Sequence, residues 1–236
     1  ADLRPEGSTA APTWFNLGDQ DLATHFYRTA RLAEGATLTE VTDEIRRAWD
    51  LEFTVLPMTD ARFRTMVTLA ASGEEVSFQD YFVRLGHAEP VSAIRFDHDE
   101  AAPTAAVRHA VGDADVVIIA PSNPLVSIGP IRAVVGVDQL LRDRRDRVVA
   151  VSPIVGGAAL KGPADRMLAE LGHEPSVVGV AELYADVAAA LVVDPVDAVE
   201  AERIESLGLR CVIQPSIMSN LERARSLSAA CLAAVG

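Results

Sequence analysis

Two short stretches combine hydroxyl and amide side chains with prolines and glycines. They are Pro121-Ser122-Asn123-Pro124, running on to Ser127-Ile128-Gly129-Pro130, and Ser152-Pro153-Ile154-Val155-Gly156-Gly157. Each follows an apolar run that reads as a strand. In open α/β sheets, ligands bind outside the carboxyl ends of the strands, where loops lead into helix N-termini. Backbone N–H groups in such loops, with Ser and Asn beside them, suit phosphate oxygens. A plain turn built of Pro, Asn and Ser fits the first stretch as well. Paired glycines in the second allow a backbone to approach a ligand closely. Lys161 precedes Gly162 and Pro163 at the start of a further helix. It either balances a phosphate there or is solvated, and its position leaves both open.

A third set lies near the start of the chain. Asp21, His25 and Arg28 are spaced by four and three residues, so a helix puts them on one face. They form one wall of a substrate pocket, or they serve helix electrostatics, with Asp19 and Asp21 at the positive N-terminus. Asp60, Arg64 and Thr65 read as a polar turn. His87, His98, His109 and His173 are scattered and show no metal-ligand spacing. No G-x-G-x-x-G is present, and Lys161 stands before its glycine where a Walker loop has it after, which disfavours a nicotinamide dehydrogenase and a P-loop hydrolase. No G-x-S-x-G elbow exists for acyl transfer.

The elements that position these residues follow from periodicity. Asp19 is placed to cap a helix with the stripe Leu22, Phe26 and Ala30, ending near Gly35. Thr37 or Thr39 opens a second helix through about Trp49. Residues 53–57 and 64–70 read as strands, 75–82 as a further one, and 97–103 as a solvated acidic loop. From residue 116 the pattern becomes regular. Residues 116–120 form a continuous apolar run expected of a parallel strand covered on both faces. After it come a helix through about 144, a strand at 147–151, and a helix at 164–171. A helix around 181–190, a strand at 191–193, a helix at 195–207, a strand at 210–213 and a helix at 220–234 complete the series. Strand and helix in turn imply an α/β fold, Rossmann-like and three-layered, with a largely parallel sheet. A helical and β insertion occupies the N-terminal third. Residues 1–13 read as a flexible tail and 14–236 as one domain.

Composition narrows the function classes. The 236 residues are 49% hydrophobic and 23% charged, as in globular chains, with a net charge of −13. That surplus of acid argues against non-specific binding to nucleic acid or anionic membranes, which needs a cationic footprint. A local basic pocket for a phosphate is compatible with it. Two cysteines, Cys211 and Cys231, make neither a zinc site nor a disulfide framework, and imply buried thiols in a reducing, cytoplasmic compartment. No apolar window reaches the roughly 18 residues that a membrane-spanning helix needs. The first dozen residues lack the basic and apolar blocks of a signal peptide.

Four segments in order resemble the CofD-like phospholactate transferase family of coenzyme F-420 biosynthesis. They are Trp14-Phe15-x-Leu17-Gly18-Asp19-x-Asp21-Leu22-Ala23-Thr24-His25, Phe78-Gln79-x-Tyr81-Phe82-Val83-Arg84, the Pro121 to Pro130 loop, and the Ser152 to Gly157 loop with Lys161-Gly162-Pro163-Ala164-Asp165. Their order and spacing agree from Trp14 to the C-terminus. The resemblance implies a transferase moving a phosphorylated three-carbon acid (phospholactate, phosphoenolpyruvate or phosphoglycerate) from a guanosine diphosphate ester to the deazaflavin Fo, with release of GMP. It also implies Mg²⁺ and a homodimer. By the same resemblance, Ser122, Asn123, Pro124, Ser127, Ile128, Gly129, Ser152, Pro153, Gly156, Gly157 and Lys161 hold the donor nucleotide. Trp14, Asp19, Gln20, His25 and Arg28 lie toward the deazaflavin, where an aromatic face suits a flat ring. Two departures accompany it. The glycine-rich strand–loop–helix and acidic segment with which family members begin, the source of their metal-binding aspartates, is missing from these residues. A chain lacking that segment is expected to turn over poorly by itself, and a homologue that binds nucleotide without catalysis is the alternative. Gln20 stands where the family usually has arginine, and an amide cannot reproduce a guanidinium's charged fork.

Overall fold

The computed structural model describes residues 17–98 and 100–235; the tail expected over 1–13, together with Trp14, lies outside the described residues. The described chain opens with a helical hairpin, α1 (Asp19–Ala33) and α2 (Leu38–Ala48). Gly18, not Asp19, caps α1, because the Asp19 carboxylate is already inside the first turn, accepting the Gln20 N–H at 2.9 Å. The turn between the helices needs Gly35, at φ 96°. Thr37 begins α2 with a full capping box, its hydroxyl accepting the Glu40 N–H while the Glu40 carboxylate accepts the Thr37 N–H.

A small antiparallel sheet follows, in the order β2-β1-β3, with β1 at Phe63–Leu69, β2 at Glu75–Ser77 and β3 at Val91–His98. Three expectations change here. Residues 53–57 form no strand: both edges of β1 are already taken by β2 and β3, and Phe53 stays exposed. The strand expected over 75–82 stops at Ser77, and a five-residue π-turn (Asp80–Arg84) replaces its second half. Residues 97 and 98, expected in a loop, close β3, which sequence periodicity missed.

The remaining chain builds the α/β body. After α3 (Ala105–Asp113), strand β4 (Val117–Ile119) leads through a π-turn (Pro124–Ile128) into α4 (Gly129–Ala133) and α5 (Val137–Asp143). Strand β5 (Val148–Val151) is followed by a short hairpin, β6 (Ile154–Val155) and β7 (Ala158–Ala159), and then by α6 (Ala164–Glu170) and α7 (Val177–Tyr184). Strand β8 (Ala190–Val193), a 3₁₀ turn (Pro195–Glu200), α8 (Ala201–Ser206), β9 (Arg210–Ile213) and α9 (Leu221–Ala234) complete it. The four long-range strands are all parallel, in the order β4-β5-β8-β9. Stepping always in one direction puts the connecting helices on one face when crossovers keep one hand. The packing agrees. Val148, Ala150, Leu191 and Val193 face residues of α5 to α8, whereas Val149, Val151, Ala190 and Val192 face Leu227, Cys231 and Ala234 of α9.

Every residue of β5 and β8 is buried, and burying each such Val or Leu contributes about 1.5–3 kcal/mol. Strand β4, expected to be covered on both faces, is an edge strand, and Ile118 is 42% exposed. α7 begins earlier than the expected 181, because Ser176 caps it by accepting the Val178 N–H. The small sheet joins the body through α6: Arg166 donates to the Tyr81 hydroxyl at 2.7 Å, and Glu170 accepts the Val91 N–H at 2.9 Å. Burial raises the Cys211 and Cys231 thiols above their ordinary range, which favours the thiol over the nucleophilic thiolate. Among the described residues no single helix is long and apolar enough to cross a membrane.

Candidate functional site

A cavity of about 670 Å³ opens at the carboxyl ends of β4 and β5, within the range that holds small ligands and cofactors. Four chain segments and one aromatic pair surround it. The β4 loop supplies Pro121, Ser122, Asn123, Val126 and Ser127, and the β5 loop supplies Ser152, Pro153 and Val155. Residues 160–164 lead into α6 along one side, and residues 216–218 after β9 close another. Phe78, just after β2, and Phe82, within the π-turn, have ring centroids 5.5 Å apart and form an apolar wall.

Local chemistry explains the shape. The Asn123 side-chain oxygen accepts the N–H groups of Leu125 (2.9 Å) and Val126 (3.3 Å), and its amide reaches the Met167 sulfur at 3.6 Å. Asn123 therefore caps the π-turn, and its own C=O accepts the Ser127 N–H at 3.0 Å, which fixes the loop beside the cavity. The Ser152 hydroxyl, fully buried, is committed to Ile154: it accepts the N–H at 3.1 Å and donates to the C=O at 3.0 Å. Ser122 and Ser127 keep their hydroxyls directed to no described partner and line the opening.

Of the residues expected at the donor nucleotide, the structure gathers Ser122, Asn123, Ser127, Ser152, Pro153 and Lys161 around this cavity. It puts the other five elsewhere. Gly156 and Gly157 are the two central residues of the β6–β7 hairpin, with φ of 61° and 79°. A two-residue hairpin loop of this kind demands positive φ at both positions, which explains the glycine pair without a ligand. The Gly156 N–H is moreover taken by the nearly buried Asp197 carboxylate, at 2.9 and 3.1 Å. Pro124 and Gly129 border a second hollow, of about 440 Å³, on the Phe96 side, and a Cβ on Gly129 would lie 3.2 Å from the Pro124 carbonyl oxygen. Ile128 packs into the core. These three residues set backbone packing behind the loop.

Of the residues expected at the deazaflavin, the four that are described do not line the cavity. Asp19, Gln20, His25 and Arg28 share α1, as their spacing predicts, and the Arg28 guanidinium lies 2.7 Å from the His25 Nδ1. Gln20 borders a separate shallow hollow between α1 and α2, beside Thr24 and Trp49. The aromatic face at the main cavity belongs instead to Phe78 and Phe82.

Charge at the cavity is concentrated in one side chain. Lys161 is the only lysine in the chain, against twenty arginines. None of the ion pairs formed among the described residues involves it. Lys161 is thus an exposed ammonium on the cavity wall of a chain whose net charge is −13. Residue counting alone would have singled it out. Sequence reasoning missed Ser216, Ile217 and Met218, which follow no recognisable motif. Applying the strand-end rule to β9 as well as to β4 and β5 points to them.

Among the described residues no three His, Cys, Asp or Glu side chains come together as a metal-holding group. The cavity lining holds no Asp or Glu, so none of its residues is assigned to the Mg²⁺ that the resemblance implies.

Comparison with known proteins gives this geometry a family context. The family model described as 2-phospho-L-lactate transferase CofD matches residues 4–215. A phosphoenolpyruvate transferase of Streptomyces coelicolor is 40% identical over 215 residues, covering 89% of this chain and 67% of that protein. A 2-phospho-L-lactate transferase of Methanocaldococcus jannaschii is 37% identical over 209 residues, covering 87% of this chain and 66% of that protein. A crystal structure of a Bacillus halodurans protein superimposes with a TM-score of 0.63 at 15% identity, over 90% of this chain and 71% of that one. That likeness concerns the fold.

Proposed function

The chain belongs to the 2-phospho-L-lactate transferase CofD family, and on that premise we propose that its cavity carries the transfer of a phosphorylated three-carbon acid from a guanosine diphosphate ester to the deazaflavin Fo, in coenzyme F-420 biosynthesis. In this reaction a ribityl hydroxyl oxygen of Fo attacks the phosphorus that bears the acid. The bond between that phosphorus and the bridging oxygen of GMP breaks, GMP leaves with the electron pair, and the hydroxyl proton passes to solvent. Such chemistry depends on positioning and on stabilising charge at the phosphoryl oxygens.

The observation that carries the reading is the convergence of the β4 and β5 loops on a cavity whose only lysine is Lys161. The Ser122 and Ser127 hydroxyls and the Lys161 ammonium supply donors and charge for the diphosphate. Asn123, Ser152 and Pro153 shape the loops around it. Phe78 and Phe82, their rings tilted by 30°, offer apolar faces for a heteroaromatic ring. Phospholactate and phosphoenolpyruvate are the carried acids favoured by the names of the relatives.

Calorimetry with GDP, GMP and Fo, with and without Mg²⁺, tests the reading, together with mass spectrometry for the product formed from Fo and the donor. Nucleotide and Fo binding with product formation is the expected result. Nucleotide binding without Fo binding turns the reading toward a non-catalytic nucleotide-binding homologue, and no nucleotide binding at all overturns it. Light scattering of the same sample tests the homodimer that the resemblance implies.

A further inference from the structure

We propose that Asp194 is a positioning residue of the cavity, which needs both of its carboxylate oxygens to hold the loop of residues 214–220 in place. Asp194 is the first residue beyond β8, the inner strand between β5 and β9. One oxygen accepts the Val196 N–H at 3.3 Å and so caps the 3₁₀ turn that follows. The other accepts the Ser216 N–H at 3.0 Å, across to the β9 loop. The last backbone bond between β8 and the segment leaving β9 is Gln214 N–H to Val193 C=O at 3.0 Å. Beyond it the Asp194 carboxylate takes over, reaching 22 residues along the chain. Ser216 is only 6% exposed, so its N–H has little access to water if that oxygen is removed. Ser216 and its neighbours Ile217 and Met218 are the cavity wall that this bond anchors.

Asp197 provides the contrast within the same turn. Both of its oxygens serve one donor, the Gly156 N–H. A single acceptor suffices there, and an asparagine oxygen supplies it. The Val196 and Ser216 N–H groups approach different oxygens of Asp194, and an asparagine there turns an NH₂ group toward one of them, so that bond fails. The cap is local and asparagine is as good a cap as aspartate, so the long-range bond to Ser216 is the one lost.

The binding part of the test rests on the proposed function; the exchange part does not. Asp194→Asn and Asp197→Asn are compared in the full chain by thermal melting, by amide hydrogen exchange of the segment 214–220, and by GDP calorimetry. Asp194→Asn is expected to lower the melting temperature by about 2–4 °C while exchange in 214–220 rises and GDP binds about tenfold more weakly. In turnover its donor KM rises with kcat unchanged, as loss of a binding wall demands. Asp197→Asn stays near wild type in all of these. Asp194→Ser keeps the cap and cannot reach Ser216, so it reproduces Asp194→Asn should that variant express badly. Wild-type exchange at 214–220 in both Asp194 variants overturns the proposal, as does a stronger effect of Asp197→Asn. A wild-type chain that binds no GDP counts against the proposed function, while the exchange result still decides for or against Asp194.

Discussion

The helical hairpin α1–α2 and the parallel sheet are held by different forces. No residue of α1 is buried, and Leu22, Phe26, Tyr27 and Trp49 remain exposed across the pair. What ties the two helices is polar: Glu44 accepts from Arg31 at 2.9 and 3.0 Å and from the Tyr27 hydroxyl at 2.8 Å. In the sheet, strands β5 and β8 are buried throughout, between apolar side chains of both helical layers. The family motifs fall in both regions, yet the cavity forms only at the sheet. Hydrophobic burial fixes strand ends to within a narrow geometry, and loops leaving adjacent strand ends must converge. Ion pairs that water still reaches, such as the half-buried Arg31–Glu44, contribute little and fix little.

The largest expected effect breaks the sheet. Leu191→Ala removes a fully buried side chain at the centre of β8 and should cost about 2–5 kcal/mol, read as a lower urea midpoint for the whole chain. A comparably large loss from Phe26→Ala in α1 would contradict the division drawn above. Next in size, Lys161→Ala should weaken GDP binding about tenfold or more at unchanged melting temperature, since hydrogen bonds to charged groups exceed 1.4 kcal/mol. Lys161→Arg should retain the salt dependence of binding that the alanine variant loses.

Two smaller effects belong to the hairpin. Thr37→Ala removes the α2 cap and should cost about 1 kcal/mol, detected as faster exchange in residues 38–48 with the sheet unaffected. The last concerns acid. Hydrogen bonds from Arg31 and then Tyr27 hold the Glu44 carboxyl at about 2, below its ordinary 4.5. A depressed folded value means that the carboxylate's contribution is complete above pH 4.5 and is lost as pH falls toward 2. Exchange across α1 should therefore rise over that window in wild type, and Glu44→Gln should show the raised exchange already at neutral pH.

Parts of this architecture were plain in the residues. A helix opened near Thr37, the apolar runs of β5 and β8, and the helix beginning near Asn220 are local signals that nothing distant overrides. The failures share a cause. Residues 53–57 have strand composition and no partner edge, whereas β3 finds one against β1 despite its mixed polarity. Ile118 reads as covered on both sides and lies on the open edge of the sheet.

The site divides in the same way. That hydroxyl-rich loops follow β4 and β5, that a lysine precedes α6, and that the chain resembles CofD-like transferases all follow from residue types in order, because local geometry and family pattern are written along the chain. Tertiary structure alone decided that Gly156 answers to Asp197, that α1 stands away from the cavity, and that Ser216 closes its wall. Each of those outcomes depends on which strand lies beside which. Strand neighbours are chosen by the burial of whole faces, and no short stretch of sequence records that choice.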